Sequence, residues 1–327
     1  FGRFQRVLDP YPCETSAGCL TDVPLCDAEL RQCVRCDSAA GDAGDRACAQ
    51  RGAGFCSDQD GLDARGACVE CRTYADCPRS AGGACWHGRC VPSCVLHTDC
   101  GEGSACDRFP AGIPGRSAAA GRGACAPREE VIHVNNTRSE VECRRADGSA
   151  DRPYCALAEA LDKLPAEAPR RALRLWPSRL SYGQMRPRQP RAAQVLSVYG
   201  PDEREQAEGA RLDGLSSFGG ARFEAVYVPP GLLLTLDRIV TQDAERGVFC
   251  DGEQAPAGVL LRRSIIRLSR NEGLRSRSCR VELDRVSARN NLDGALRLDG
   301  ATRYLVQNSF LVENAARSGP IVRIANG

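Results

Sequence analysis

Cysteine placement constrains this chain more than any other feature. Of its 20 cysteines, sixteen lie at or before Cys125, and only Cys143, Cys155, Cys250 and Cys279 follow. The sixteen come into register when taken in fours: Cys13, Cys19, Cys26, Cys33; Cys36, Cys48, Cys56, Cys68; Cys71, Cys77, Cys85, Cys90; and Cys94, Cys100, Cys106, Cys125. Three of the four groups open with a C-x5-C spacing, and two or three residues separate one group from the next. Such a period indicates small modules in tandem, each too short to hold an apolar core without cross-links. A disulfide closing a loop of this size contributes roughly 2–4 kcal/mol, so two per unit can hold it. Four cysteines allow three pairings. First-to-third with second-to-fourth is the favoured one. "LCDAELRQCVRC" (Leu25 to Cys36) and "ACWHGRC" (Ala84 to Cys90) read as short hairpins.

Clustered cysteines also suit zinc, and Cys33-x2-Cys36 and Cys68-x2-Cys71 have knuckle spacing. Both pairs sit inside the longer series, and only His87, His97 and His133 are on hand to assist. The reading therefore assigns all 20 cysteines to disulfides and expects no metal and no cofactor. His87 and His97 read as solvated loop residues. Because cytosolic proteins keep their thiols reduced, this density points to an extracellular or outer cell-surface protein whose export signal is expected to have been removed or to lie outside the segment. Charges nearly cancel at +2, which gives no general field for nucleic acid. No apolar run is long enough for a membrane-spanning helix. Lys163 is the only lysine, so nearly every positive charge is arginine.

Residues 13–125 resemble the cysteine-rich repeats of exported bacterial surface proteins, of the form "DC…GGAC…GRCV.C". That resemblance implies a stalk, spacer or binding surface. Arg108 to Arg128 is rich in Gly, Ala and Pro and reads as an exposed loop inside the last unit, leading to a linker. The expected division is 1–127, a disulfide-rich domain of four repeats, and 128–327.

The second part has a different texture. "EVIHVNN" alternates as a strand, "RPYCALAEALDKLP" puts Leu157, Leu161 and Leu164 on one helical face ending at Pro165, and Cys143 and Cys155 bracket the helix entry as a disulfide pair. Further on, Leu236, Leu261, Leu283 and Val306 lead corresponding segments 25, 22 and 23 residues apart, and Gly247, Gly273, Gly294 and Gly319 follow the same beat. Two short strands per period make one coil of a parallel solenoid. The expected inward residues are Leu234/Leu236/Ile239, Val259/Leu261/Ile265, Val281/Leu283/Val286 and Tyr304/Val306/Phe310. Asn271, Asn290, Asn291 and Asn314 fall near turns, where asparagine tolerates left-handed geometry and can bond along the stack. The opening strand and helix, with the repeat, resemble right-handed parallel β-helix proteins of the pectate-lyase-like superfamily. The fold class is thus all-β: a right-handed parallel β-helix with a capping helix, preceded by a small disulfide-rich repeat domain. A β-sandwich is the competing architecture. The stack ends at "IVRIANG" as if mid-coil, so it is expected to continue beyond the segment or to be covered by a partner.

Equivalent residues of adjacent coils lie about 4.8 Å apart. The bend column then reads Asp237, Arg262, Asp284, Gln307, and beside it runs Arg238, Arg263, Arg285, Asn308. Glycoside hydrolysis needs two carboxyl groups, and Asp237 with Asp284 would stand about 9–10 Å apart. Arg262 between them stabilises their ionised forms, which disfavours a general acid. A lyase would need acids such as Asp243, Glu245 and Asp251 in one site. Arg238, Arg263 and Arg285 are candidate ligand-binding residues for an acidic polysaccharide. Cys250 and Cys279 read as a structural disulfide, and "NNT" at Asn135 fits a glycosylation sequon. No catalytic residue is assigned. The expected function is an exported, non-catalytic structural or adhesive surface protein that binds a polysaccharide or a surface protein partner. A polysaccharide-degrading hydrolase or lyase, and a subunit of an extracellular assembly, are the alternatives.

Overall fold

The structure is a computed structural model that describes residues 14, 19, 25–27, 31–34, 36, 43–49, 54–56, 68–78, 83–107, 116–117, 122–164, 172–190, 194–206, 209–215, 223–300, 303–315 and 320–325. The chain forms two compact units. The first comprises Phe1–Val95 with Pro110–Cys125, and the second Leu96–Phe109 with Ala126–Gly327. The fourth cysteine group is therefore shared, with Cys94 and Cys125 in the first unit and Cys100 and Cys106 in the second.

The first unit repeats one device. β1 (Leu25–Asp27) pairs antiparallel with β2 (Gln32–Val34), β3 (Phe55–Cys56) with β4 (Cys68–Val69), and β5 (Gly83–Trp86) with β6 (Arg89–Cys94). In each hairpin the third and fourth cysteines of a group face one another: Cys26 and Cys33, Cys56 and Cys68, Cys85 and Cys90. The second cysteine belongs to a short helical turn, Cys48 in α1 (Ala43–Ala49) and Cys77 just after Tyr74–Asp76. Asp76 sets that turn, its carboxylate accepting from the backbone N–H groups of Arg72 at 2.8 Å and Thr73 at 2.7 Å. The "DC" in the sequence is thus a cap followed by the cysteine it positions.

The bridges are Cys19–Cys33, Cys36–Cys56, Cys48–Cys68, Cys71–Cys85 and Cys77–Cys90, a first-to-third and second-to-fourth pattern. Cys26, Cys94, Cys100, Cys106 and Cys125 are also disulfide-bonded, and Cys13 lies outside the described residues. Each knuckle of zinc spacing is split, since Cys33 joins Cys19 while Cys36 joins Cys56, and Cys68 joins Cys48 while Cys71 joins Cys85. Cystine sulfur itself forms the buried clusters, Cys36 with Cys48 and Cys56, and Cys71 with Cys77 and Cys85. The glycine- and alanine-rich stretch is only partly described. It contributes β8 (Arg116–Ser117), which pairs with β5, and β9 (Gly123–Ala126), which pairs with β6.

In the second unit β7 (Ala105–Asp107) precedes a parallel β-solenoid. One sheet runs β10 (Val131–Val134), β11 (Ala172–Leu175), β12 (Gln194–Tyr199), β15 (Leu232–Asp237), β18 (Gly258–Arg262), β21 (Arg280–Asp284) and β24 (Tyr304–Gln307). The second runs β13 (Ala210–Asp213), β16 (Ile239–Gln242), β19 (Ile265–Arg267), β22 (Ser287–Arg289) and β25 (Phe310–Val312). The third runs β14 (Val226–Val228), β17 (Val248–Asp251), β20 (Leu274–Arg277), β23 (Leu296–Asp299) and β26 (Val322–Ala325). Each coil therefore has three strands rather than the two expected, and about five coils stack.

The corners explain the geometry. Between the first and second sheets a single residue turns the chain, and Arg238, Arg263, Arg285 and Asn308 all take positive φ (57°, 46°, 56° and 51°). The next corner repeats this with Asp243, Leu268, Asn290 and Glu313. Left-handed backbone disfavours side chains with a Cβ, and the same strained corner recurs in each of these coils. Because the corner uses one residue, inward positions resume immediately after it, at Ile239, Ser264, Val286 and Ser309. Ile265 and Phe310 therefore do not point inward as expected. Ser264 and Ile266 are buried in their coil, while Phe310 is 68% exposed. Tyr304 and Val306 align with the buried Val281 and Leu283, yet the last coil leaves its apolar side chains exposed.

Leu196, Leu234, Val259 and Val281, with Leu236, Leu261 and Leu283, form the core. Polar ladders run through it. Ile239 N–H donates to Ser264 Oγ and Val286 N–H to Ser309 Oγ, each at 3.1 Å. Ser269 N–H donates to Asn291 Oδ1 at 3.1 Å, and Asn291 Nδ2 donates to Asn314 Oδ1 at 2.8 Å. Of the expected asparagines only Asn290 has left-handed backbone, while Asn291 and Asn314 serve as the buried ladder. Gly247 leaves no room for a side chain, since a Cβ there would stand 2.6 Å from the Gly273 carbonyl oxygen. Gly319 lies outside the described residues. Cys250–Cys279 links successive coils inside the core.

At the start of the stack, α2 (Glu140–Cys143) and α3 (Leu157–Asp162) are tied by Cys143–Cys155. α3 buries Leu157, Ala160 and Leu161, and Leu164 is partly buried against the core. It is shorter than "RPYCALAEALDKLP" suggests, because Tyr154 forms a parallel bridge with Val134 and keeps the backbone extended up to the disulfide.

Candidate functional site

The bend column exists in the expected register: Asp237 stands beside Arg262, Arg262 beside Asp284, and Asp284 beside Gln307. Its charges are consumed within the protein. Arg263 Nε donates to Asp237 Oδ1 at 3.0 Å while its NH2 holds Oδ2, so both carboxylate oxygens are bound. Arg262 pairs with Asp284 at 3.2 Å, and Asn308 Nδ2 donates to the same carboxylate at 3.1 Å. Burial, more than any neighbour, lowers the Arg262 pKa from the ordinary arginine value.

The arginine column beside it divides into different roles. Arg238 is buried and clamps the excursion between β12 and β13. Its Nε donates to Pro201 O at 2.6 Å, NH2 to Gln206 O at 2.7 Å, and NH1 pairs with Glu203 at 3.1 Å. Arg263 is occupied by Asp237, and Arg285 is the exposed member. Asp243, Glu245 and Asp251 do not converge. Asp243 sits at the second corner accepting from Gln242, Glu245 accepts from Asn271 at 2.7 Å, and Asp251 ends a strand of the third sheet. Asn135 is 6% exposed, and its Oδ1 accepts from Thr137 N–H and Oγ1–H.

The third sheet carries a different pattern on its outer side. Tyr227 stands beside Phe249, Phe249 beside Arg275, Arg275 beside Arg297 and Arg297 beside Arg323. The two rings lie 5.8 Å apart, and Arg246 and Arg277 place their guanidinium carbons 5.7 Å and 5.3 Å from the Phe249 centroid. Like charges directly opposite on neighbouring strands are destabilising, and three arginines are stacked here. Glu272 and Asp299 offset part of the repulsion, with Arg297 pairing to both and Arg275 to Asp299 at 3.4 Å. Burial first, then Arg297, Arg246 and Arg277, push the Arg275 guanidinium below its ordinary pKa, against Glu272. Its Nε is buried and reaches Asp299 Oδ2 only at ion-pair distance, without hydrogen-bond geometry.

The histidines have structural surroundings. His87 and Gly88 form the two-residue turn of the β5–β6 hairpin, both with positive φ as a type I′ turn requires. His97 is not solvated as expected but 4% exposed. Its Nδ1 accepts from Cys106 N–H at 2.9 Å, which leaves Nε2–H to donate to Gly200 O at 3.2 Å. His133 Nδ1 accepts from Trp176 Nε1–H at 3.1 Å and its Nε2–H donates to Gly103 O at 3.0 Å. Burial lowers its pKa to about 4 despite the Gly103 hydrogen bond.

No family model, curated protein or solved structure matches the chain. Sequence reasoning missed the arginine stack because it counted two strands per coil, although "LRSR", "LRLD" and "VRIA" do carry arginine at one position of the third strand.

Proposed function

We propose that this is an exported, non-catalytic surface protein that binds an acidic polysaccharide on the outer side of its third sheet. The observation that carries the reading is the in-register stack of Arg275, Arg297 and Arg323 continuing from Tyr227 and Phe249. Guanidinium forks donate bidentately to carboxylates and sulfates, and Arg246 and Arg277 over the Phe249 ring add further donors. A bound anion would relieve the repulsion that the stack otherwise carries. The disulfide content favours an oxidising, extracellular setting, and the cysteine repeats suit a spacer that holds the solenoid out from a surface. The hydrolase alternative is disfavoured by the bend carboxylates, since Asp237 and Asp284 are both committed to arginine.

The test pairs binding with turnover. The oxidised protein is exposed to polygalacturonate, chondroitin sulfate and neutral dextran while reducing ends and unsaturated products are followed. Expected are salt-sensitive binding of the two acidic chains, no dextran binding and no turnover. Arg275→Gln with Arg297→Gln should weaken binding at least tenfold, while Arg285→Gln should leave it unchanged. Turnover lost in Asp237→Asn or Asp284→Asn would establish an enzyme instead. Equal losses in both arginine sets would remove the third sheet as the site.

A further inference from the structure

Thr98–Gly103 turns over the beginning of the solenoid, and a cavity of about 430 Å³ lies between that turn and a wall containing Trp176, Arg174, Glu205, Arg138 and Asp151. We propose that this cleft binds a neutral mono- or disaccharide whose ring lies on the face of Trp176. Its volume falls within the roughly 300–1,000 Å³ typical of small-molecule sites.

The aromatic wall is held in place. Trp176 spends its only donor on His133, and His133 spends its other nitrogen on Gly103 in the overlying turn. The turn is fastened a second time by His97, through Gly200 and Cys106, and its backbone N–H donates to Asp202 at 2.5 Å. Trp176 is half-buried and lines the cleft with its only donor already spent, so it contributes apolar surface there rather than a hydrogen bond.

The charges decide the chemical class. Arg174 pairs with Glu205 at 2.8 Å, Arg138 with Glu142 at 2.5 Å, and Asp151 with Arg128 at 3.1 Å. An anionic ligand would have to displace Glu205 or Glu142 from its arginine. Hydroxyl groups need not, because a paired carboxylate keeps free lone pairs and a paired guanidinium keeps free N–H donors. Glu102, exposed on the turn, adds an acceptor. An apolar plane bordered by fixed donors and acceptors matches the two faces and the equatorial rim of a pyranose. The site shares no residue with the arginine stack, so either proposal can fail alone.

Tryptophan makes the test direct. Of the two tryptophans in the chain, Trp86 is fully buried and Trp176 lines the cleft. The whole oxidised protein is titrated with glucose, galactose, N-acetylglucosamine, cellobiose and chitobiose, followed by tryptophan emission and by calorimetry. At least one sugar should bind saturably with a Kd of about 1 mM. Calorimetry should show binding at least tenfold weaker in Trp176→Ala and in Glu102→Ala. Should Trp176→Ala fail to fold, Glu102→Ala decides, because that side chain is exposed. Absence of saturation with every sugar at about 10 mM, ten times that Kd, overturns the proposal. So does parental affinity in Glu102→Ala.

Discussion

His133 shows how one residue can carry a testable electrostatic signature. Its folded pKa of about 4 lies below the ordinary 6.5, so the unfolded chain takes up the proton first as pH falls. Stability from this group is complete above about pH 6.5, declines between 6.5 and 4, and stays level below. The total is about 3 kcal/mol at 1.36 kcal/mol per unit. An NMR titration of the imidazole ring protons should show no midpoint near 6.5, and urea unfolding at pH 7, 5.5 and 4 should fall in step. A midpoint near 6.5 would mean that the ring is not enclosed. None of this was legible in the sequence, where "IHV" gives alternation but no partner. Gly103 and Trp176, which fix both ring nitrogens, stand 30 and 43 residues away. His97 was misjudged for the same reason, its Gly200 partner being 103 residues distant.

Among elements, the corner between the first and second sheets separates structural from dispensable arginine. Arg263→Ala would leave the buried Asp237 carboxylate without its two-pronged partner, at a cost of about 3–5 kcal/mol. Arg285→Ala removes an exposed side chain at the equivalent corner and should change stability by no more than about 0.5 kcal/mol. Urea unfolding of the two variants tests the difference, and equal losses would mean the corner residues act through backbone geometry alone. The stacking of Leu236, Leu261, Leu283 and Val306 was readable because one apolar period repeats within a few residues. The third strand was not, since "LRSR" looks polar when its outward arginines are counted with its inward Leu274 and Ser276. Inward assignments failed at Ile265 and Phe310 for a related reason. A single left-handed residue shifts the alternation by one, and alternation alone does not reveal it.

As a whole molecule the chain combines two ways of resisting unfolding. Among the described residues the first unit buries clusters of cystine, with Trp86 also enclosed, whereas the second holds a continuous aliphatic core. Thiol reductant should therefore release the first unit while the solenoid keeps its strands. Hydrogen exchange read by mass spectrometry should show fast exchange in 68–78 and 83–95 and persistent protection in 232–299; joint loss of protection would contradict the division. The cysteine count made that contrast visible in the sequence, although not the passage of Leu96–Phe109 into the second unit, which depends on contacts with Gly200 and Asp202. The bridge between Cys250 and Cys279 also has a mechanical side. Drawn from its C-terminal side, the stack would shed β24–β26 and then β21–β23 strand by strand, because ladders, side-chain hydrogen bonds, ion pairs and packing hold these strands, with no described disulfide among them. The peeling would halt at Cys279, where the load passes into a covalent link spanning two coils. The residues enclosed by that link would bear no tension until sulfur chemistry opened it, so the core would act as a brake whose release depends on redox state rather than on force alone.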